Sequence, residues 1–138
     1  MAAAVPGYSG KPLAAKLGIG EGMAWLALDA PADYAAWLAP LPPGARILTR
    51  WAAGTRCVHL FASERAKLAS ALTTYRQRLP ADAVLWVSWP KKASKVQTDV
   101  TEDTIRELAL PLGWVDVKVC AVSEVWSGLK LVVRKALR

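Results

Sequence analysis

The sequence predicts an α/β protein: a single Rossmann-like domain of three layers, with a mainly parallel sheet and a C-terminal antiparallel strand. Three observations predict it. Apolar strand-like runs alternate with helical stripes, the pattern of βαβ units. The last two strand-like runs are joined by a short connection, which makes them antiparallel neighbours. The 138 residues are 54% apolar and 21% charged, enough for one hydrophobic core and too apolar for a disordered chain. The expected domain is 1–138, with 1–10 as an irregular N-terminal arm.

The elements follow in order. Pro12 suits the first turn of a short helix, Leu13 and Leu17 lie one turn apart, and Gly18 stops it. Met23 to Leu28 is continuously apolar, ends at Asp29 and reads as a buried strand. Pro31 and Asp33 begin a second helix with Tyr34, Trp37 and Leu38 on one face; the Pro-rich stretch Pro40 to Gly44 ends it. Arg46 to Arg50 is a short strand, Trp51 to Thr55 a connection, and Arg56 to Ala62 an apolar strand.

Ser63 is placed to cap the next helix, whose stripe is Leu68, Leu72, Tyr75 and Leu79. Ala83 to Trp89 reads AVLWVSW and is the central strand, closed by Pro90. A polar loop, Lys91 to Val100, precedes a helix with the stripe Ile105, Leu108, Ala109 and Leu112, where Asp99 and Glu102 have capping-box spacing. Trp114 to Cys120 alternates Val115, Val117 and Val119 against Asp116 and Lys118. The run through Leu129, Leu131 and Val133 pairs with it. Right-handed crossovers put helices on both faces of the sheet.

Charge and cysteines narrow the function classes. Eighteen Lys and Arg against eleven Asp and Glu give +7, which favours anionic partners without naming one. The excess is spread along the chain, with local clusters at Lys91, Lys92 and Lys95 and at Lys130, Arg134, Lys135 and Arg138. Two isolated cysteines and one histidine cannot build a structural zinc site; Cys57 and Cys120 read as buried reduced thiols. The longest uncharged run is the 12 residues Tyr34 to Ala45, too short to span a bilayer. The absence of a secretory signal in the first twenty residues gives the expectation of a cytoplasmic protein. No nucleophile–base pair and no phosphate-binding loop can be assembled from motifs.

The element order resembles the Rossmann-type fold of class I S-adenosylmethionine-dependent methyltransferases, best over residues 56–135, through VHLFA, AVLWVSWPK and the closing strand pair. The resemblance implies a truncated methyltransferase-like topology. It departs at the cofactor half. The turn after the first strand, Leu28 to Asp33, has no glycine, and Pro31 removes a backbone donor. The second strand ends Leu48-Thr49-Arg50, where the family places an acid for the ribose hydroxyls. A third strand and two helices are missing before Arg56. At the level of words, GYSGKPLAAKLG, LWVSWPKKASK and LALPLGWVDVKVCAVSEVWSGLKLVVR also resemble an uncharacterised bacterial family, which implies a small cytoplasmic protein and carries no catalytic residue.

Candidate site residues come from geometry. In open α/β sheets ligands bind beyond the carboxyl ends of the strands. The loop leaving the central strand there offers Lys91, Lys92, Ser94 and Lys95, beside Ser88 and Trp89, as a phosphate or carboxylate cradle. The competing reading is a solvated basic loop. Secondary candidates are Asp29, which holds a ligand hydroxyl or caps the following helix; Tyr8, Ser9 and Lys11 in the leader; Trp126; and Lys130, which also reads as an exposed edge-strand lysine. Trp25, Trp37 and Trp86 read as core. Trp51 and Trp114 flank loops, where exposure marks a partner surface, and His59 reads as a satisfied core histidine.

Three readings of function follow, with the cofactor unknown. The first is a non-catalytic ligand-binding or regulatory domain with an anion site for a phosphate-bearing small molecule or nucleotide. The second is a divergent S-adenosylmethionine-dependent methyltransferase, and the third a nucleic-acid or protein-partner module. No membrane partner is expected, and the oligomeric state is not encoded in these patterns.

Overall fold

A computed structural model describes residues 11–138. Its core is one six-stranded sheet, β1 Ala24–Leu28, β2 Arg46–Leu48, β3 Cys57–Phe61, β4 Val84–Pro90, β5 Trp114–Ala121 and β6 Trp126–Val133, in the order β2-β1-β3-β4-β6-β5. The pairs among β2, β1, β3 and β4 are parallel; β6 is antiparallel to both neighbours. This is the mostly parallel α/β architecture with an antiparallel C-terminal strand that the alternation of runs predicts.

Side chains alternate across the strands and so build two cores. On one face α1 (Leu13–Leu17) and α2 (Tyr34–Leu38) cover Trp25, Phe61 and Trp86. On the other, α3 (Arg65–Arg78) and α4 (Glu102–Ala109) cover Leu26, Val58, Leu85, Val87 and Leu131. Leu68 and Leu72 of the predicted stripe are fully buried. Gly18 ends α1 in the left-handed region (φ 89°), where a side chain is disfavoured.

β4 lies mid-sheet, between β3 and β6, as the AVLWVSW run predicts. Several local expectations are corrected. Ser63 does not cap α3; the cap comes from across a loop, where Asp99 Oδ1 accepts from Arg65 N at 2.6 Å. The expected Asp99–Glu102 capping box does not form; the capping box of α4 is Thr101 with Thr104. The alternation Val115, Val117, Val119 is broken by an irregularity between Asp116 and Lys118, which leaves Val117 and Val119 each 54% exposed. Trp114, expected beside a loop, is fully buried. Trp126 opens β6. Lys130 lies within β6, an interior strand; the sheet edge on that side is β5, which Lys118 and the irregularity protect.

No helix among the described residues is long and apolar enough to cross a membrane.

Candidate functional site

The chain runs from β1 outward to β2 and then returns to the other side of β1 as β3. The strand order therefore reverses between β1 and β3, and a crevice opens there beyond their carboxyl ends. The structure has a cleft of about 310 Å³ at this point, lined by Asp29, Phe61, Ser63, Glu64, Lys67 and Trp126 among others. Its parts come from the end of β1, the β3–α3 turn, the first turn of α3 and the start of β6.

Asp29 takes a left-handed conformation (φ 56°), as the chain must turn at once out of β1. Aspartate tolerates this region better than bulkier residues do. It does not cap α2, whose N-cap is Asp33. Lys67 Nζ lies 3.0 Å from Glu64 Oε2. That hydrogen bond, followed by the charges of Glu64 and Asp29, raises the lysine pKa, so the ammonium is firmly charged. In a chain of net charge +7 these three ionic groups sum to −1.

The aromatic wall is held from behind. Trp126 meets Phe61 edge-on at 5.1 Å between centroids, and Phe61 stacks on His59 at 4.3 Å. His59 is fully buried in a polar chain: Trp25 Nε1 donates to Tyr34 Oη (2.8 Å), Tyr34 Oη meets His59 Nδ1 (2.7 Å), and His59 Nε2 meets Ser88 Oγ (2.7 Å). Tyr34 Oη accepts the indole proton, and each imidazole nitrogen meets a hydroxyl that can donate or accept. Burial pushes the imidazole pKa down to about 3 and the Tyr34 phenol pKa up. The satisfied core histidine of the sequence reading is the observed one, and it is no general base near neutral pH.

The basic loop is laced into the protein. Lys91 Nζ donates to Ser123 O (2.8 Å) and Lys91 N to Val125 O (2.7 Å). Ser94 Oγ donates to Lys91 O (2.6 Å), closing a 3-10 turn over Lys92–Ser94. Lys92 and Lys95 are exposed, Trp89 is buried, and Ser88 Oγ belongs to the histidine chain. Lys92 and Trp89 line a separate hollow of about 520 Å³ with Thr98 and Thr101. Lys11 is exposed ahead of α1, and Tyr8 and Ser9 lie outside the described residues. Lys91 does position the cleft indirectly, because the Ser123 turn it grips also holds Trp126 N on Ser123 Oγ at 3.0 Å.

Of the sequence candidates, Asp29 and Trp126 are brought together in the cleft. Sequence reasoning missed Phe61, Glu64 and Lys67. The signal for them was the end of the third strand-like run, whose meaning depends on which strand lies beside it.

The sheet order and the placement of this cleft define a methyltransferase-type Rossmann fold. Solved structures agree at that level. Aeropyrum pernix fibrillarin with bound S-adenosyl-L-methionine superposes with a TM-score of 0.59 at 13% identity, covering 91% of this chain and 70% of that one. An S-adenosylmethionine-dependent methyltransferase from Aquifex aeolicus gives 0.57 at 11% identity, covering 88% of each. The Methanococcus jannaschii fibrillarin pre-rRNA processing protein gives 0.54 at 9%, covering 90% and 69%. No family model matches the chain, so the resemblance to an uncharacterised bacterial family is not supported. No curated protein matches it either. These neighbours also correct the first functional reading: they favour the divergent methyltransferase over a non-catalytic anion-binding or regulatory domain.

The lining brings two carboxylates, Asp29 and Glu64, one ammonium, Lys67, and the aromatic edge of Phe61 and Trp126 into one cleft. The turn after β1, Leu28 to Asp33, has no glycine. The exposed Thr49 and Arg50 supply no acid at the end of β2.

Proposed function

We propose that the chain is a divergent S-adenosylmethionine-dependent methyltransferase that holds its cofactor in the cleft between β1 and β3. The observation that carries this reading is an anionic, aromatic-walled cleft at the strand-order reversal of a basic protein. When bound, the cofactor supplies a methyl group on a positively charged sulfur. Asp29 and Glu64 attract that charge, Lys67 orients the amino-acid end, and Trp126 with Phe61 excludes water from one side. With His59 buried and neutral, the side chains contribute placement and electrostatics.

Calorimetry and thermal shift with S-adenosylmethionine and S-adenosylhomocysteine test the reading. Both ligands should raise the melting temperature by mass action, by roughly 2.7 kcal/mol of stabilisation at a hundredfold excess over Kd. Asp29→Asn and Glu64→Gln keep the local shape and remove one charge each. Each should weaken the sulfonium ligand about tenfold and the neutral thioether less. Absence of any shift at millimolar ligand, or unchanged affinity in both variants, rejects the assignment.

A further inference from the structure

The α1/α2 face of the sheet holds a second feature, separate from the cleft. Lys118 on β5 and Lys130 on β6 are register partners, so their side chains leave adjacent strands side by side on one face. Lys130 also pairs with Trp86, which fixes that face as the one carrying α1 and α2. Neither lysine takes part in an ion pair among the described residues. The Lys130 charge reaches Cys57, and those of Lys16 and Lys118 reach Cys120; each pulls its thiol pKa down against a larger upward push from burial. Lys16, Lys118 and Lys130 thus share one face. Val115 and Val132, a register pair next to the lysines, join neither core, and Lys118 is exposed.

Like charges directly opposite one another destabilise an antiparallel pair. A neutral residue at either position would remove the repulsion at no loss to the ladder. Edge protection accounts for Lys118 alone; Lys130 lies on the interior strand β6, where no edge needs blunting, so the paired charge is left for a partner. That partner must be anionic. Among the described residues the large apolar side chains exposed beside the lysines are Val117 and Val119; Trp, Phe and Leu, which seat a protein in a bilayer, are not there.

We propose that this face binds the phosphate backbone of a nucleic acid, with Lys118 and Lys130 as paired contacts and Lys16 beside them. The contact is to phosphates and is independent of base sequence. It does not rest on the cofactor reading.

The test is fluorescence anisotropy of the full chain with a labelled 20-nucleotide single-stranded RNA between 50 and 300 mM potassium chloride. Lys118→Gln/Lys130→Gln should bind at least tenfold more weakly at the low-salt end. Its log–log salt slope should be shallower by about 1.4, two contacts at roughly 0.7 each. The same variant should melt above wild type, because the repulsion is gone. Lys118→Arg/Lys130→Arg should keep the affinity, and so should the charge-matched Lys92→Gln/Lys95→Gln. The proposal is overturned if wild type does not bind RNA at 50 mM salt or binds only phosphatidylserine vesicles. It is equally overturned if the arginine pair loses binding, or if the Lys92/Lys95 variant loses as much as the Lys118/Lys130 one.

Discussion

His59 sits on β3 with its ring enclosed on every side, and it is the single histidine of the chain. Burial holds its folded pKa down at about 3, against roughly 6.5 in an unfolded chain. Between those values the unfolded state takes up a proton that the folded state refuses. Stability is therefore fully present above about pH 6.5 and is lost as pH falls toward 3. Urea denaturation should show about 2 kcal/mol lost between pH 7 and pH 5, at roughly 1.4 kcal/mol per pH unit at most. His59→Gln should flatten that interval, and a wild-type protein of equal stability at both values would refute the assignment. The residue's role as core was legible from its apolar strand. Its partners were not, since Tyr34 and Ser88 arrive from other elements and no local spacing announces them.

At the scale of elements, periodicity located nearly every helix and strand, because a buried face leaves a regular stripe in the residues that build it. The caps were the weak point. Ser63 and the Asp99–Glu102 pair have the right local spacing, yet Asp99 serves α3 from across the Thr98–Ser63 crossing, where Thr98 Oγ1 donates to Ser63 O at 2.7 Å. Local spacing cannot see a donor supplied by a distant segment. Asp99→Ala should cost about 1 kcal/mol through the freed end of α3, whereas Ser63→Ala should lie near neutral. Chemical denaturation of the two variants decides between a local cap and a remote one. The strand β5 failed differently: a single inserted residue moves every later side chain to the opposite face, and alternation alone carries no sign of it.

At the scale of the molecule, the N-terminal helix is tied to the middle of the sheet by a bond that spans 69 residues of sequence. Trp86 crosses from the central strand to the N-terminal helix, its Nε1 donating to Leu17 O at 2.9 Å. Trp86→Phe should remove that tie and open a small void on the α1 side, at a cost of about 2 kcal/mol. Hydrogen exchange should then quicken at Gly18 and Ile19, whose amides bond to Ala14 O, more than in α3. Uniform quickening would show the tie to be immaterial. The architecture was readable because strand and helix alternate. The cleft was not, as Asp29, Glu64 and Trp126 meet only after the strand order reverses, and order is a property of the closed sheet.

The placement of β6 has a consequence for synthesis on the ribosome. Residues 84–90 are translated well before residues 126–133, yet the latter strand is the one that covers their open side. Until it emerges, the nascent protein presents VLWVSW with one row of amides and carbonyls bare, an apolar edge open to wrong pairing. Slowing elongation between codons 90 and 126 should therefore lower the yield of native protein, by prolonging exposure of a strand still waiting for its neighbour.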